Sequence, residues 1–281
     1  MDVRMLDLQF KNLPINAWYA RPKIVRGAIV LVHGFGEHSG RYKDAVIPRL
    51  LEENLAVFCY DNIGHGKSGG KRGHCHSYTA LLELLDNMIA KARLLNPNKP
   101  IFLYGHSMGG NLVLNYDMRI KSELAGIVAT SPYLKLAFQP PKWKMVLGKL
   151  MLGMIPSVTM SSGLDPQHIS RINQEVEKYI ADPLVHDRVS PMYSFPIMEA
   201  GEWAINNASK IKTSTLLLHG TGDKIIDYRA TEKLHKNSNC TQLHLIEGGY
   251  HELHNDVGSK NTLDIIGIWL RNRLDHFYGQ K

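Results

Sequence analysis

Apolar and polar residues alternate over 5–10 and again over 15–20, the period-two pattern of two short strands suited to an antiparallel opening pair. The pattern then changes. Ala28-Ile29-Val30-Leu31-Val32 is an unbroken apolar run, as expected of a strand buried on both faces. Residues 42–53 predict a helix and 55–60 a second buried strand. Across 78–95, Leu81, Leu84, Leu85, Met88, Ile89 and Ala92 recur at helical spacing, and the run stops at Asn96-Pro97. A strand over 101–104 leads to a helix over 110–116, followed by strands over 124–130, 215–219 and 242–246 and a closing helix over 262–274. Strands alternating with helices predict an α/β fold, a mostly parallel central sheet covered by helices on both faces.

The alternation fails between Ser131 and Ile211, a stretch holding 8 of the 13 prolines. This predicts an inserted, largely helical cap over the carboxyl edge of the sheet. The chain then divides into core residues 1–132, cap residues 133–210 and core residues 211–281. Within the cap, residues 143–155 are apolar on most sides. Such a segment serves as core packing, as an acyl-binding wall or as a membrane-facing surface, and these roles are compatible.

Composition narrows the class. At 281 residues and 44% hydrophobic, the chain can bury one large core with an insertion. It has no apolar run of about 18 residues, so no transmembrane helix is expected. Its charged first residues lack a signal core, and Cys59, Cys75 and Cys240 are too few and too scattered for a disulfide framework. A cytoplasmic protein is expected, with peripheral membrane contact through the cap. The net charge of +7 comes from dispersed Lys and Arg without a dense basic run, so no nucleic-acid partner is expected.

Chemistry concentrates in Gly105-His106-Ser107-Met108-Gly109. A strand, G-x-S-x-G and a helix set a serine on a strained turn at the top of a sheet, at a helix N-terminus that favours negative charge. A serine hydroxyl is a weak nucleophile without a base, and the base needs an orienting acid. The order should be Ser, then Asp, then His. Asp223 follows the strand ending at His219 on a glycine-flanked loop. Asp227 is the fallback acid and equally suits a helix N-cap. His251 follows the last strand, with His254 one turn on as its competitor. His251-Glu252-Leu253-His254 is one residue short of the H-E-x-x-H zinc spacing, and His74-Cys75-His76 lacks a second ligand pair, so no metal or cofactor is expected. Oxyanion donors should be the amide of Met108 and, from His33-Gly34-Phe35-Gly36, the amide of Phe35.

The segments 33–42 (His-Gly-Phe-Gly-Glu-His-Ser-Gly-Arg-Tyr), 61–68 (Asp-Asn-Ile-Gly-His-Gly-Lys-Ser), Gly105–Gly110 and 248–254 together resemble the monoacylglycerol lipase family of α/β-hydrolases. Ile169-Ser170-Arg171 and Asp182-Pro183-Leu184-Val185 extend the resemblance into the cap, so that it covers about residues 10–275. It implies a triad of Ser107, Asp223 and His251, with Phe35 and Met108 as oxyanion donors. It also implies a cap forming an amphipathic tunnel, apolar for the fatty chain and polar for glycerol. Glu37 and Arg41 match the loop beside that site, either as substrate contacts or as structural pins. Leu150 and Met151 are the expected acyl-path residues of the cap. The family often carries alanine where this chain has Phe35, and a bulkier side chain there narrows the acyl entrance.

The leading expectation is a serine hydrolase that cleaves monoacylglycerol to glycerol and fatty acid through an acyl-enzyme. A lysophospholipase or general carboxylesterase uses the same machinery with another headgroup site. An aminopeptidase is disfavoured because no acidic pocket for a free amine is evident, and epoxide hydrolases and dehalogenases usually need aspartate in place of Ser107. A hydrolase-fold ligand receptor is the non-enzymatic alternative, which an intact triad argues against.

Overall fold

The computed structural model describes residues 2–120 and 123–279, apart from the side chains of residues 142 and 144. Eight strands form one sheet: β1 (Val3–Leu6), β2 (Ala17–Ala20), β3 (Gly27–Val32), β4 (Leu55–Tyr60), β5 (Ile101–His106), β6 (Gly126–Thr130), β7 (Thr215–Gly220) and β8 (Thr241–Ile246). Their spatial order is β1-β2-β4-β3-β5-β6-β7-β8. β2 pairs antiparallel with β1 and β4, and every other pairing is parallel.

The expected opening strand over 5–10 is split, and the one over 15–20 is shortened to β2. β1 pairs with β2 from Val3↔Ala20 to Leu6↔Ala17, while Gln9–Phe10 and Leu13–Pro14 form a separate small hairpin. Lys11 and Asn12 at its tip have φ of 49° and 64°, the left-handed turn that matches strand twist. Two-residue periodicity runs through such a turn without marking it.

The unbroken apolar strands are buried on both faces, and their alternation assigns each face. Ala28, Val30 and Val32 of β3 join the core beneath α2 (Tyr78–Leu95) and α3 (Met108–Arg119). Ile29 and Leu31 join the opposite core with α1 (Val46–Glu52) and the closing helix, Ser259–Gly279. Ser77 caps α2 by accepting from the Ala80 amide at 3.1 Å. The predicted helix over 42–53 is shorter than its pattern, because a 3-10 turn over Ser39–Tyr42 precedes α1.

Between β6 and β7 the chain leaves the sheet for α4 (Lys142–Met154), α5 (Asn173–Ala181) and α6 (Pro191–Asn206). Asn111 of α3 anchors α6, donating to the carbonyls of Tyr133 at 2.8 Å and Ile197 at 3.2 Å. After β7, α7 (Tyr228–Lys236) leads to β8, and the closing helix is α8. Among the described residues no helix is long and apolar enough to cross a membrane.

Close contact at the head of α3 fixes where the sheet meets the helix. A Cβ on Gly109 would overlap the Val32 carbonyl of β3, and one on Gly105 would overlap the Gly109 carbonyl. The Gly109→Ala change is therefore expected to lower the unfolding free energy by roughly 3 kcal/mol. A urea titration checks this: the midpoint should fall at unchanged slope. An unaltered midpoint would show that α3 does not depend on this approach.

Candidate active site

Ser107 sits between β5 and α3 with φ 52° and ψ −113°, a conformation that L-residues rarely adopt. Its backbone is held on three sides. The Ser107 amide donates to the Thr130 carbonyl at 2.9 Å, and its own carbonyl accepts from Asn111 at 3.0 Å and Tyr133 at 2.8 Å. Met108 is the first residue of α3, so its amide has no acceptor within the helix, and the Ser107 side chain does not cap it.

The loop after β3 faces this turn, and two side chains orient it. His33 donates from Nδ1 to the Gly34 carbonyl at 2.6 Å while its Nε2 accepts from the Asn62 amide at 2.8 Å. Burial lowers its pKa to about 4, so the ring is neutral. The Gly34 carbonyl and the Phe35 amide belong to one planar trans peptide, so holding the carbonyl aims the N–H the opposite way. Glu37 Oε1 accepts from the Gly34 amide at 2.7 Å and from the Tyr42 hydroxyl at 2.6 Å. The Phe35 amide has no hydrogen-bond partner among the described residues. The Phe35 ring lies edge-on to His65, His186 and Tyr193, with centroids 5.2, 5.8 and 5.2 Å away.

Asp223 follows β7 with a fully buried side chain. Its Oδ2 accepts from His251 Nδ1 at 2.7 Å and lies 3.1 Å from His219 Nε2. Its Oδ1 accepts from the amides of Ile225 at 2.8 Å and Ile226 at 3.0 Å. Burial opposes its charge, but the two histidines and these bonds outweigh burial and hold the carboxyl far below the usual range. For His251, burial lowers the pKa, yet the adjacent Asp223 carboxylate more than offsets it, and the ring sits above the ordinary histidine value. With Nδ1 donating to Asp223, the neutral ring keeps Nε2 as a proton acceptor.

The competitors go elsewhere. Asp227 caps α7, accepting from the Arg229 amide at 3.1 Å. His254 is buried, stacked on Tyr42 at 4.9 Å with its pKa lowered to about 4 by burial, and does not line the cavity. His74 bonds Ser190 Oγ at 3.0 Å, and Cys75 is buried beside it.

Ser107, His251, Gly34, Phe35 and Glu37 all open on one cavity of about 550 Å³, whose walls are mostly apolar. The segment between β6 and β7 contributes Phe138, Met145, Phe195 and Met198 to its lining. Leu150 and Met151 do not reach it. α4 turns Met145 and Gly148 inward, and Leu150, two residues beyond Gly148, points about 200° away. Leu150 is 60% exposed on an outer stripe with Val146, Leu147 and Met154. Arg41 also stands behind the wall, buried between Glu37 and Glu252, while Glu37 itself lines the cavity. Of the three lysines flanking α4's apolar run, Lys142 and Lys144 have side chains outside the described residues and Lys149 is exposed. The orienting role of His33 was hidden in the sequence, whereas for Glu37 the structural-pin alternative is the one seen in its bond to the Gly34 amide.

A family model described as serine aminopeptidase, S33 matches residues 23–258. An uncharacterised abhydrolase-domain protein of Dictyostelium discoideum is 33% identical over 97% of the chain, which spans only 29% of that protein's length. A monoacylglycerol lipase of Mycolicibacterium smegmatis is 30% identical, with 89% of each chain covered. The crystal structure of Paleococcus ferrophilus monoacylglycerol lipase superimposes with a TM-score of 0.84 at 34% identity, covering 92% of this chain and 99% of that one. The chain belongs to this family of serine hydrolases. It is a carboxylic ester hydrolase with the α/β-hydrolase fold.

The electrostatics can be checked directly. A ring-proton NMR titration of His251 should give a pKa above about 6.5, and Asp223→Asn should move it down by removing the anion that stabilises the imidazolium. An unmoved titration would mean that Asp223 does not govern His251.

Proposed function

We propose that the chain hydrolyses monoacylglycerols to glycerol and free fatty acid, with Ser107 as nucleophile, His251 as base and Asp223 as its orienting acid. The observation that carries this reading is the 2.7 Å bond from His251 Nδ1 to buried Asp223, with His251 and Ser107 opening on the same apolar cavity. The kinship with proteins named monoacylglycerol lipases supports the substrate class.

The steps follow from these roles. His251 Nε2 takes the hydroxyl proton as Ser107 Oγ attacks the ester carbon, and the carbonyl oxygen becomes an oxyanion. The amides of Phe35 and Met108 donate to it, each contributing roughly 3 kcal/mol. The imidazolium, steadied by Asp223, returns its proton to the glycerol oxygen as the C–O bond breaks. Water, deprotonated by the same nitrogen, then cleaves the acyl-enzyme and releases the fatty acid. Residues 133–210 act as the cap: their inward apolar side chains take the acyl chain, and Glu37 stands at the polar headgroup end. The two buried carboxylates of the wall, Glu37 and Glu252, both pair with Arg41, so neither is free to hold the α-amine of a peptide. This favours ester over peptide substrates. The exposed stripe of Val146, Leu147, Leu150 and Met154 on α4 is a peripheral membrane contact for a protein acting from the cytoplasm.

Ser107→Ala and His251→Ala should each lower kcat on the order of 10⁶-fold while leaving the melt unchanged. Asp223→Asn should cost on the order of 10⁴-fold, and His254→Ala or Asp227→Asn far less. Near-normal turnover by the Ser107 variant would sink the reading. On a panel of acyl glycerols, lysophospholipids and short esters, kcat/KM should be highest for monoacylglycerols and rise roughly fourfold per methylene until the cavity fills. A preference for lysophospholipids would overturn the headgroup assignment.

Replacing Leu150 and Met154 together by Asp should depress turnover of vesicle-borne monoacylglycerol about tenfold or more, with a soluble short ester unaffected. Equal losses on both substrates would assign the stripe to folding instead.

A further inference from the structure

Glu252 follows His251 directly, and the triad has no use for it, yet it is among the most thoroughly bonded side chains beside the cavity. Its Oε2 accepts from Arg41 Nη2 at 2.6 Å and from Asn255 Nδ2 at 2.8 Å, and its amide donates to the Ile169 carbonyl of the cap at 2.8 Å. Arg41 continues the chain of contacts. Its Nε lies 3.3 Å from Glu37 Oε2, and its guanidinium carbon stands 4.5 Å from the ring centroid of Tyr179 on α5. Glu37 in turn holds the Gly34 amide. The Arg41 side chain is 9% exposed, and those of Glu37 and Glu252 are 3% exposed.

Three separate parts of the protein therefore meet on one guanidinium: the His251 loop through Glu252, the Phe35 loop through Glu37, and the cap through Tyr179. Burying three charges gains little stability over an apolar filling, because desolvation consumes most of their attraction. The cluster's distinctive product is geometry. It also keeps the Glu252 carboxylate, next in sequence to His251, close to the imidazole.

We propose that Glu252, acting through Arg41, is a positioning residue for ester hydrolysis: it holds the His251 loop in register with the Phe35 loop and the cap, and presents a second negative charge to the imidazolium. This rests on the roles given above to Ser107, His251 and Asp223. The titratable groups facing His251 are Asp223, Glu252 and Glu37, with the rings of His106 and His254. Burial keeps both of those rings uncharged at neutral pH. Burial also raises the Glu37 pKa, whereas for Glu252 the Arg41 charge outweighs burial and keeps the carboxylate ionised.

The test compares Glu252→Leu, which cuts the link, with Glu252→Gln, which keeps an acceptor for Arg41 but loses the charge. Both are assayed on a soluble short-chain ester, with Ser107→Ala alongside. Glu252→Leu should lower kcat about 100-fold, the cost of an ångström-scale misplacement, with KM within about twofold and a parallel fall in fluorophosphonate labelling of Ser107. Glu252→Gln should regain most of kcat, but its acid limb of kcat/KM should move to lower pH, since His251 loses a stabilising anion. Wild-type kcat and labelling in Glu252→Leu, or a loss confined to KM, overturns the proposal. Should that variant fail to fold, Glu252→Gln decides alone, and an unmoved acid limb overturns it. If Ser107→Ala still hydrolyses ester, the function proposed above has failed; if it is inactive while Glu252→Leu is normal, only this inference has.

Discussion

A serine held at φ 52° is the constraint around which the rest of the molecule is arranged. Left-handed backbone at such a residue costs on the order of 1–3 kcal/mol, and it persists only because its surroundings leave no alternative. The Ser107 amide is tied to β6, its carbonyl to α3 and to Tyr133, and glycines at 105 and 109 allow β5, α3 and β3 to close around it. That closeness also determines the site. It puts Ser107 at the carboxyl edge of the sheet, beside the loop after β3 and on the same cavity as residues of the loops after β7 and β8.

A second constraint is electrostatic. The Asp223 side chain is fully buried and stays ionised because two histidines and two backbone amides surround it. Fixed charges and dipoles set in place beforehand need no reorganisation when a neighbouring charge forms. His219, the less conspicuous partner, is itself held by Thr231 Oγ1 at 2.8 Å. Asp223 is thus anchored from the sheet, from its own loop and from His251.

The insertion between β6 and β7 does opposite things on its two sides. α4 packs inward at Gly148, where any side chain would strike the Phe195 ring, and turns leucine, valine and methionine outward. A soluble surface rarely carries such a contiguous apolar stripe without a use for it. The inner wall and the outer stripe lie on the same short helix.

Where the residues themselves carry the physical cause, the sequence was enough. Unbroken apolar runs mark the buried parallel strands, helical spacing marks α2, and the order of Ser107, Asp223 and His251 on loops after strands marks the candidate triad. The separation of Asp223 from Asp227, and of His251 from His254, needed the fold. Each pair differs by a few residues, while the role depends on which side chain a distant loop meets. The sense of α4 was likewise undetermined by its pattern. A helix apolar on most sides does not reveal which face is covered, and only packing against α6 sends Leu150 outward and Met145 inward. The same holds for His33, Glu37, Arg41 and Glu252. Their residue types allow many roles, and their hydrogen bonds join segments as far apart as 211 positions, a juxtaposition created only when the sheet brings its loops to one edge.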